Sequence, residues 1–297
     1  MENYLDCQLP IAKECDIEID KEPLHVFRNN TSEEIPDKLA IYNATDGNYL
    51  STVSKRSAEN LRTYGEFSAM LSDGLFSASN VLNPEDVKVT DQLWNKGARF
   101  SRIIEFPKAY FDFNNDKYNL VLWSWTAYDL YWAEQFIFAP MCIQCLNGMF
   151  HADWKIKGLS KKNWNNKASI DSIDIVNAVS AFEKFPEQLE QMAISQVAEW
   201  QVKALFENTL AKIKDPIHSR VSDYRMRQLS SLWDTYKRKY GLNLYAIYQT
   251  ATDWASKPEG KGMKMNMLRT RSGQVADMIK SDDWLVLITN NQIAQAV

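Results

Sequence analysis

Apolar residues recur along this chain with two different periods, and the change from one to the other divides it. From Ala98 to Trp154 the sequence reads as consecutive strands: ARFSRIIEF (98–106), YNLVLWSWT (118–126), LYWAEQFIFA (130–139) and MCIQCLN (141–147). Most are rich in β-branched and aromatic residues, and Pro107, Asn114–Asp116 and Pro140 punctuate them. Upstream, KLAIYN (38–43) and YLSTVS (49–54) flank the turn dipeptide Asp46-Gly47, which predicts a β-hairpin. Ser57 is placed to cap a helix carrying Ala58, Leu61, Tyr64, Phe67, Ser68 and Leu71 at helical spacing, with Gly74 as its stop. VKVTDQLW (87–94) adds a further strand, and LHVF (24–27) an edge strand in an otherwise weakly patterned lead-in that Pro36 closes.

After Lys155 the period becomes helical. Helices are predicted from Asp171 or Ser172 to Lys184, over 186–213, over 222–241 with Gly241 as its stop, over 242–256, and over 272–284. Residues 257–266 read as a loop, and LVLIT (285–289) as a terminal strand or the tail of the last helix. The expected fold is α+β: an N-terminal hairpin and helix, an antiparallel meander, then a helical C-terminal half packed on the sheet. Residues 1–36 form the lead-in. A single domain is expected over 37–297, β-rich in 37–155 and helical in 170–285.

Length and composition suit a globular chain of 297 residues, 45% hydrophobic and 24% charged. The acidic opening MENYLDCQLPIAKECDIEID has no basic region leading into an apolar one, and no apolar run approaches the ~18–20 residues a bilayer span needs. The expectation is a cytoplasmic protein with no membrane partner. Its four cysteines, Cys7, Cys15, Cys142 and Cys145, are too few for a disulfide scaffold and are expected as free thiols. Charge is uneven. Residues 1–150 carry 13 basic and 22 acidic side chains, a net −9, and residues 151–297 carry 21 and 16, a net +5. A basic second half is one sign of a polyanionic partner.

Three motifs carry a family resemblance. They are the hairpin from Asn43 to Ser54, the strand end Cys145-Leu146-Asn147-Gly148-Met149, and the helix from Leu244 to Trp254. Their order over roughly residues 38–280 resembles a family carried by phages and plasmids, labelled only phage/plasmid-like protein, a domain of unknown function. In that family the strand before the cysteine often carries an arginine, which Met141 to Gln144 lack. The resemblance implies a mobile-element origin and carries no assigned chemistry. In outline the architecture is also similar to phage single-strand annealing proteins of recombination, a likeness of fold and not of function.

Candidate chemistry is sparse. Cys142-x-x-Cys145 is half of a zinc site with no second pair, and His151 and Asp153 are the nearest additional ligands. Strand geometry would turn the two thiols to opposite faces, so they are read as structural. The sequence has no GxSxG, HExxH or GxxxxGK[ST]. Asp171-x-x-Asp174 and Asp282-Asp283 read first as helix caps. No cofactor and no metal are expected.

The better signal is basic and aromatic. Lys155, Lys157, Lys161, Lys162, Trp164 and Lys167 crowd into WKIKGLSKKNWNNK (154–167). Arg225, Arg227, Lys237, Arg238 and Lys239 lie around Trp233 and Tyr236 on one predicted helix. At ~100° per residue Arg227 and Arg238 share a face, while Arg225, Lys237 and Lys239 point elsewhere. Lysine and arginine neutralise phosphates and an exposed indole stacks on bases. The meander aromatics Trp123, Trp125, Tyr128, Tyr131 and Trp132 read as core, with a stacking platform as the other reading. The expected function is a non-enzymatic, phage-encoded protein that binds single-stranded nucleic acid, DNA in the first instance. It would act in strand annealing as a homo-oligomer. The alternatives are a protein that binds and modulates a host factor, its acidic first half mimicking a duplex, and third a metal-dependent nuclease.

Overall fold

The computed structural model describes residues 9–142, 155–156, 170–213, 220–257 and 265–295. The fold is α+β, and the chain forms two compact units. The first comprises Met1–Ala109, Leu120–Phe138 and Lys155–Val179, the second Tyr110–Asn119, Ala139–Trp154 and Ser180–Val297.

The first unit opens with a three-stranded antiparallel sheet, β1 (Ile19–Arg28), β2 (Thr31–Asn43) and β3 (Tyr49–Ser54), in that spatial order. The hairpin predicted around Asp46-Gly47 is present as β2–β3, with Lys38 opposite Ser54. The expected lead-in is itself a long β-ribbon. Arg28 pairs with Thr31 across Asn29 and Asn30, both at positive φ, the geometry of a tight two-residue hairpin turn. Pro36 lies inside β2, where the register slips between Pro23 and His25 and Asp37 also has a positive φ. A proline has no ladder donor to lose at such an irregularity.

The single helix expected after Ser57 is two. Ser54 caps α1 (Lys55–Glu59), and Thr63 forms a capping box with Glu66 at the start of α2 (Tyr64–Ser77). Gly74 therefore lies within α2. Its role is space: a Cβ there would sit 1.7 Å from Ile170 Cγ2 and 3.1 Å from the Ile170 carbonyl.

A second sheet has the order β4 (Lys88–Trp94), β5 (Arg99–Phe113), β6 (Asp116–Ala127), β7 (Gln135–Cys142) and β8 (Lys155–Ile156). Two prolines expected to end strands do not. β5 runs through Pro107, beyond the last residue that β4 pairs, Glu105, and β7 runs through Pro140. Most of the meander aromatics are core: Trp125, Tyr128 and Trp132 are buried, while Tyr131 is exposed under the Arg99 guanidinium. Tyr64 stacks on Tyr128 at 4.1 Å and on Phe100 at 4.9 Å. The Tyr64 hydroxyl donates to Gly97 O and the Tyr128 hydroxyl to Ile17 O, so both buried phenols are satisfied.

Arg102 is fully buried on β5. Its Nε and Nη2 donate to the two oxygens of buried Asp91 at 2.7 and 2.9 Å, and Nη1 and Nη2 also donate to the Leu9 and Pro10 carbonyls. Asp91 in turn accepts from Ala12 N. One ion pair thus ties the N-terminal segment to the sheet. Burial, with Asp91 and Glu14 nearby, pushes the adjacent Cys15 thiol up to about 11. Cys15 is a free, buried thiol. Cys142 is buried but disulfide-bonded, against the expectation of free thiols. Cys7, Cys145, His151 and Asp153 lie outside the described residues.

In the second unit the helix expected over 186–213 is broken into α4 (Phe185–Ile194) and α5 (Glu199–Asn208). The break is used: Val197 N donates to Leu242 O and Leu244 N to Ser195 O, forming a short bridge to the next helix junction. α3 (Ser172–Glu183), α6 (Asp223–Tyr240) and α7 (Leu244–Ser256) match their expected spans closely. The strands β9 (Lys212–Ile213) and β10 (Arg220–Val221) form a small ladder. The last elements are α8 (Met265–Ile279) and α9 (Asp282–Gln295), so LVLIT is helical. Among the described residues no helix is long and apolar enough to cross a membrane.

All thirteen residues of α7 are buried. The β5–β6 tip supplies Phe111, Phe113, Asp116 and Tyr118 to this core. Phe113 meets the Tyr245 ring edge-on, and Phe111 packs between Tyr118, Phe182 and Phe185. The Tyr118 and Tyr245 hydroxyls are 2.7 Å apart, and Gln249 Nε2 donates to Tyr118. Burial raises both phenols well above their ordinary range, so both stay protonated.

Three substitutions test these contacts by urea unfolding. Arg102→Ala leaves Asp91 buried and unpaired and should cost about 3–5 kcal/mol, most of it recovered by Arg102→Met with Asp91→Leu. Gly74→Ala would favour a free helix, yet here it should cost about 1–3 kcal/mol, because the added methyl has no space beside Ile170. Tyr118→Phe should cost about 1–3 kcal/mol by stranding the hydroxyl of Tyr245 and the amide of Gln249.

Candidate nucleic-acid interface

Helix α6 carries five of the basic residues singled out in the sequence. Ser222 caps it, accepting from Arg225 N, and Lys237, Arg238 and Lys239 occupy its last turn, where the helix dipole favours cations. Buried Leu229, Trp233 and Tyr236 form its inner stripe.

Most of the five cations have intramolecular duties. Arg225 Nη1 donates to Leu210 O at 3.2 Å. Lys237 Nζ lies 2.8 Å from both Glu199 Oε1 and Asp234 Oδ1. Trp233 Nε1 donates to the other Glu199 oxygen at 2.8 Å. Hydrogen bonds from Lys237 and Trp233 hold the Glu199 carboxyl below its ordinary range, and hydrogen bonds to Asp234 and Glu199 raise Lys237. Lys239 sits 3.3 Å from both oxygens of buried Asp116 and over the Tyr240 ring, whose hydroxyl also donates to Asp116. Arg238 Nε donates to Asp234 O one turn back.

Arg227 and Arg238 face solvent on the shared face that helical spacing predicts; among the described residues neither forms a salt bridge, although the charge of Arg238 acts on the nearby Asp234 carboxylate. Tyr224, half-exposed at 51%, lies one turn before Arg227 on the same face, its hydroxyl accepting from Gln228. A lone tyrosine in the first turn of a helix carries no sequence signal that marks it as part of a binding face.

Of the second basic cluster, Lys155 stands in β8, paired in register with Ile137. Lys157, Lys161, Lys162, Trp164 and Lys167 lie outside the described residues.

Beside the arginine face is a groove of about 370 Å³ between α5 and α6, lined by Trp200, Val202, Phe206, Met226 and Trp233. Glu199, Lys203, Ser230 and Asp234 form its polar rim. Trp200 is 71% exposed. It sits in the first turn of α5, where the sequence predicts the middle of a longer helix, so its exposure could not be read from helical spacing.

Among the described residues no group of three or more His, Cys, Asp or Glu side chains is placed to hold a metal. Asp171 Oδ1 accepts from Asp174 N as a helix cap, and Asp283 Oδ2 accepts from Asn208 Nδ2. No curated protein and no solved structure matches this chain. A family model does match, over residues 88–281, spanning the second sheet and helices α3 to α8. The chain therefore belongs to the family described as Domain of unknown function (DUF932).

Proposed function

We propose that this protein binds single-stranded nucleic acid, without catalysis, as a phage- or plasmid-encoded homo-oligomer acting in strand annealing. The observation that carries the reading is the outer face of α6. There Arg227 and Arg238 are exposed and outside any salt bridge among the described residues, and Tyr224 offers an exposed ring beside them. Eleven residues of helix separate the two guanidinium groups by about 16 Å along the axis. A flexible single strand can follow that spacing while placing a base on the tyrosine, with no base-specific hydrogen bond needed. The motif resemblance supports the phage or plasmid origin, and the net +5 of residues 151–297 supports a polyanionic partner.

A host protein as the partner is the second reading. The net −9 of residues 1–150 favours it, since an acidic surface can imitate a duplex.

Fluorescence anisotropy with labelled single-stranded DNA, single-stranded RNA and duplex over a salt series tests the choice. Arg227→Ala with Arg238→Ala should weaken single-strand binding and flatten the plot of log affinity against log salt by about 1.4, at roughly 0.7 per phosphate contact. Tyr224→Ala should cost about 1–3 kcal/mol of binding with the slope nearly unchanged. A parent protein that binds no single strand at low salt overturns the reading and puts the host protein first.

A further inference from the structure

Two surfaces take no part in the nucleic-acid reading, and they are complementary. The first is the outer half of the β1–β2 ribbon. β3 pairs with β2 only over Lys38–Tyr42, so from His25–Glu34 to the turn the two strands pair only with each other. The ribbon is exposed on nearly every residue, and Phe27, next to the turn, is 80% exposed, the largest value among the described large apolar side chains. A two-stranded ribbon has little stability of its own in water, and a phenyl ring at its tip adds solvent-exposed apolar area. The second surface is the α5/α6 groove, apolar at its base, with Trp200 exposed at its edge.

We propose that the tip of the β1–β2 ribbon of one copy inserts Phe27 into the α5/α6 groove of a second copy, linking copies head to tail. Charge agrees with this at the level of the two surfaces. The strands β1 and β2 carry three basic and five acidic side chains, a net −2, and α5 with α6 carry six and four, a net +2. At the groove rim Lys237 lies 2.8 Å from both Glu199 and Asp234, so Arg28 at the ribbon tip meets carboxylates already paired but still more than half exposed. At longer range the ribbon lies in the acidic half of the sequence and the groove in the basic half, which steers the two together.

The other way for such a ribbon to self-associate is edge to edge, strand against strand. That mode needs an unbroken row of donors and acceptors. Pro23 and the register slip beside it interrupt β1, and Pro36 with Asp37 at positive φ interrupts β2. These features discourage strand addition, whereas a side chain at the tip remains available to dock. A contact between two different surfaces is heterologous, so it closes into a ring or continues as a filament.

The inference rests on the homo-oligomer part of the proposed function and is independent of nucleic acid, so its test contains none. Sedimentation velocity should show the parent associating with rising concentration, with weaker association in high salt. Phe27→Asp and Trp200→Glu, both at exposed positions, should each sediment as monomers and keep the parent's circular dichroism and melting. Mixed one to one, the two variants should form a dimer and nothing larger, because one intact tip and one intact groove remain. A mixture that stays monomeric, or a single variant that keeps the parent's assembly, overturns the head-to-tail contact while leaving homo-oligomerisation standing. A parent that stays monomeric at the highest attainable concentration overturns both, and anisotropy then decides nucleic-acid binding separately.

Discussion

Helix α7 has no face left for water, and that constraint organises the second unit. Its sequence, LYAIYQTATDWAS, has five polar residues among thirteen, so burying it means burying Gln249, Thr250, Thr252, Asp253 and Ser256 with it. Each such group costs free energy unless bonded. Three of them turn back on the helix itself: Thr250 donates to Ala246 O, Thr252 to Gln249 O and Ser256 to Thr252 O. Gln249 reaches Tyr118, and Asp253 accepts from the Tyr236 hydroxyl while pairing with Lys257. The strand tip that brings Tyr118 and the helix that brings Tyr236 are therefore held in place by the needs of α7 as much as by apolar packing.

The first unit solves a related problem with one residue. A buried guanidinium has five donors, and hydrophobic contact satisfies none of them. Asp91 takes two and the Leu9 and Pro10 carbonyls take two more, so an N-terminal segment without regular structure becomes an obligatory part of the unit. The pair's net contribution to stability is modest, because desolvation offsets its attraction. Its geometric contribution is to hold the chain at Leu9, Pro10 and Ala12 against β4 and β5, where their backbone groups complete the bonding of both ions.

How much of the fold is legible in the sequence depends on how local each signal is. The β2–β3 hairpin, the α6 span and the α7 span depend on turn residues, caps and periodicity within a few positions, and they stand nearly where expected. Local rules mislead where a distant partner overrides them. Gly74 looks like a helix stop until Ile170 is seen against it. Pro107 and Pro140 look like strand breakers, although a proline breaks a ladder only where its missing donor would have been used. The 186–213 pattern looks like one helix until residues 195–197 are needed to bond residues 242–244. LVLIT, a short apolar run, is ambiguous by periodicity alone and resolves as helix.

The basic cluster shows the same limit in electrostatic terms. Five cations within fifteen residues of α6 look like one positive patch, because sequence lists charges without their partners. In the fold, Glu199 comes from α5 to meet Lys237, Asp116 from a strand tip to meet Lys239, and a backbone carbonyl from before β9 to meet Arg225. A cation held by a carboxylate gains less from a phosphate, since it must first release or share its partner, and it displaces fewer counterions when it does. Among the described residues the α6 cations outside any salt bridge are therefore Arg225, Arg227 and Arg238, of which Arg225 and Arg238 each bond a backbone carbonyl. The common face of Arg227 and Arg238 follows from their spacing, but that Lys237 and Lys239 are held by carboxylates follows only from where Glu199 and Asp116 fold. Composition alone therefore points to the helix and not to one of its faces, because the acids that neutralise its lysines come from elsewhere in the chain.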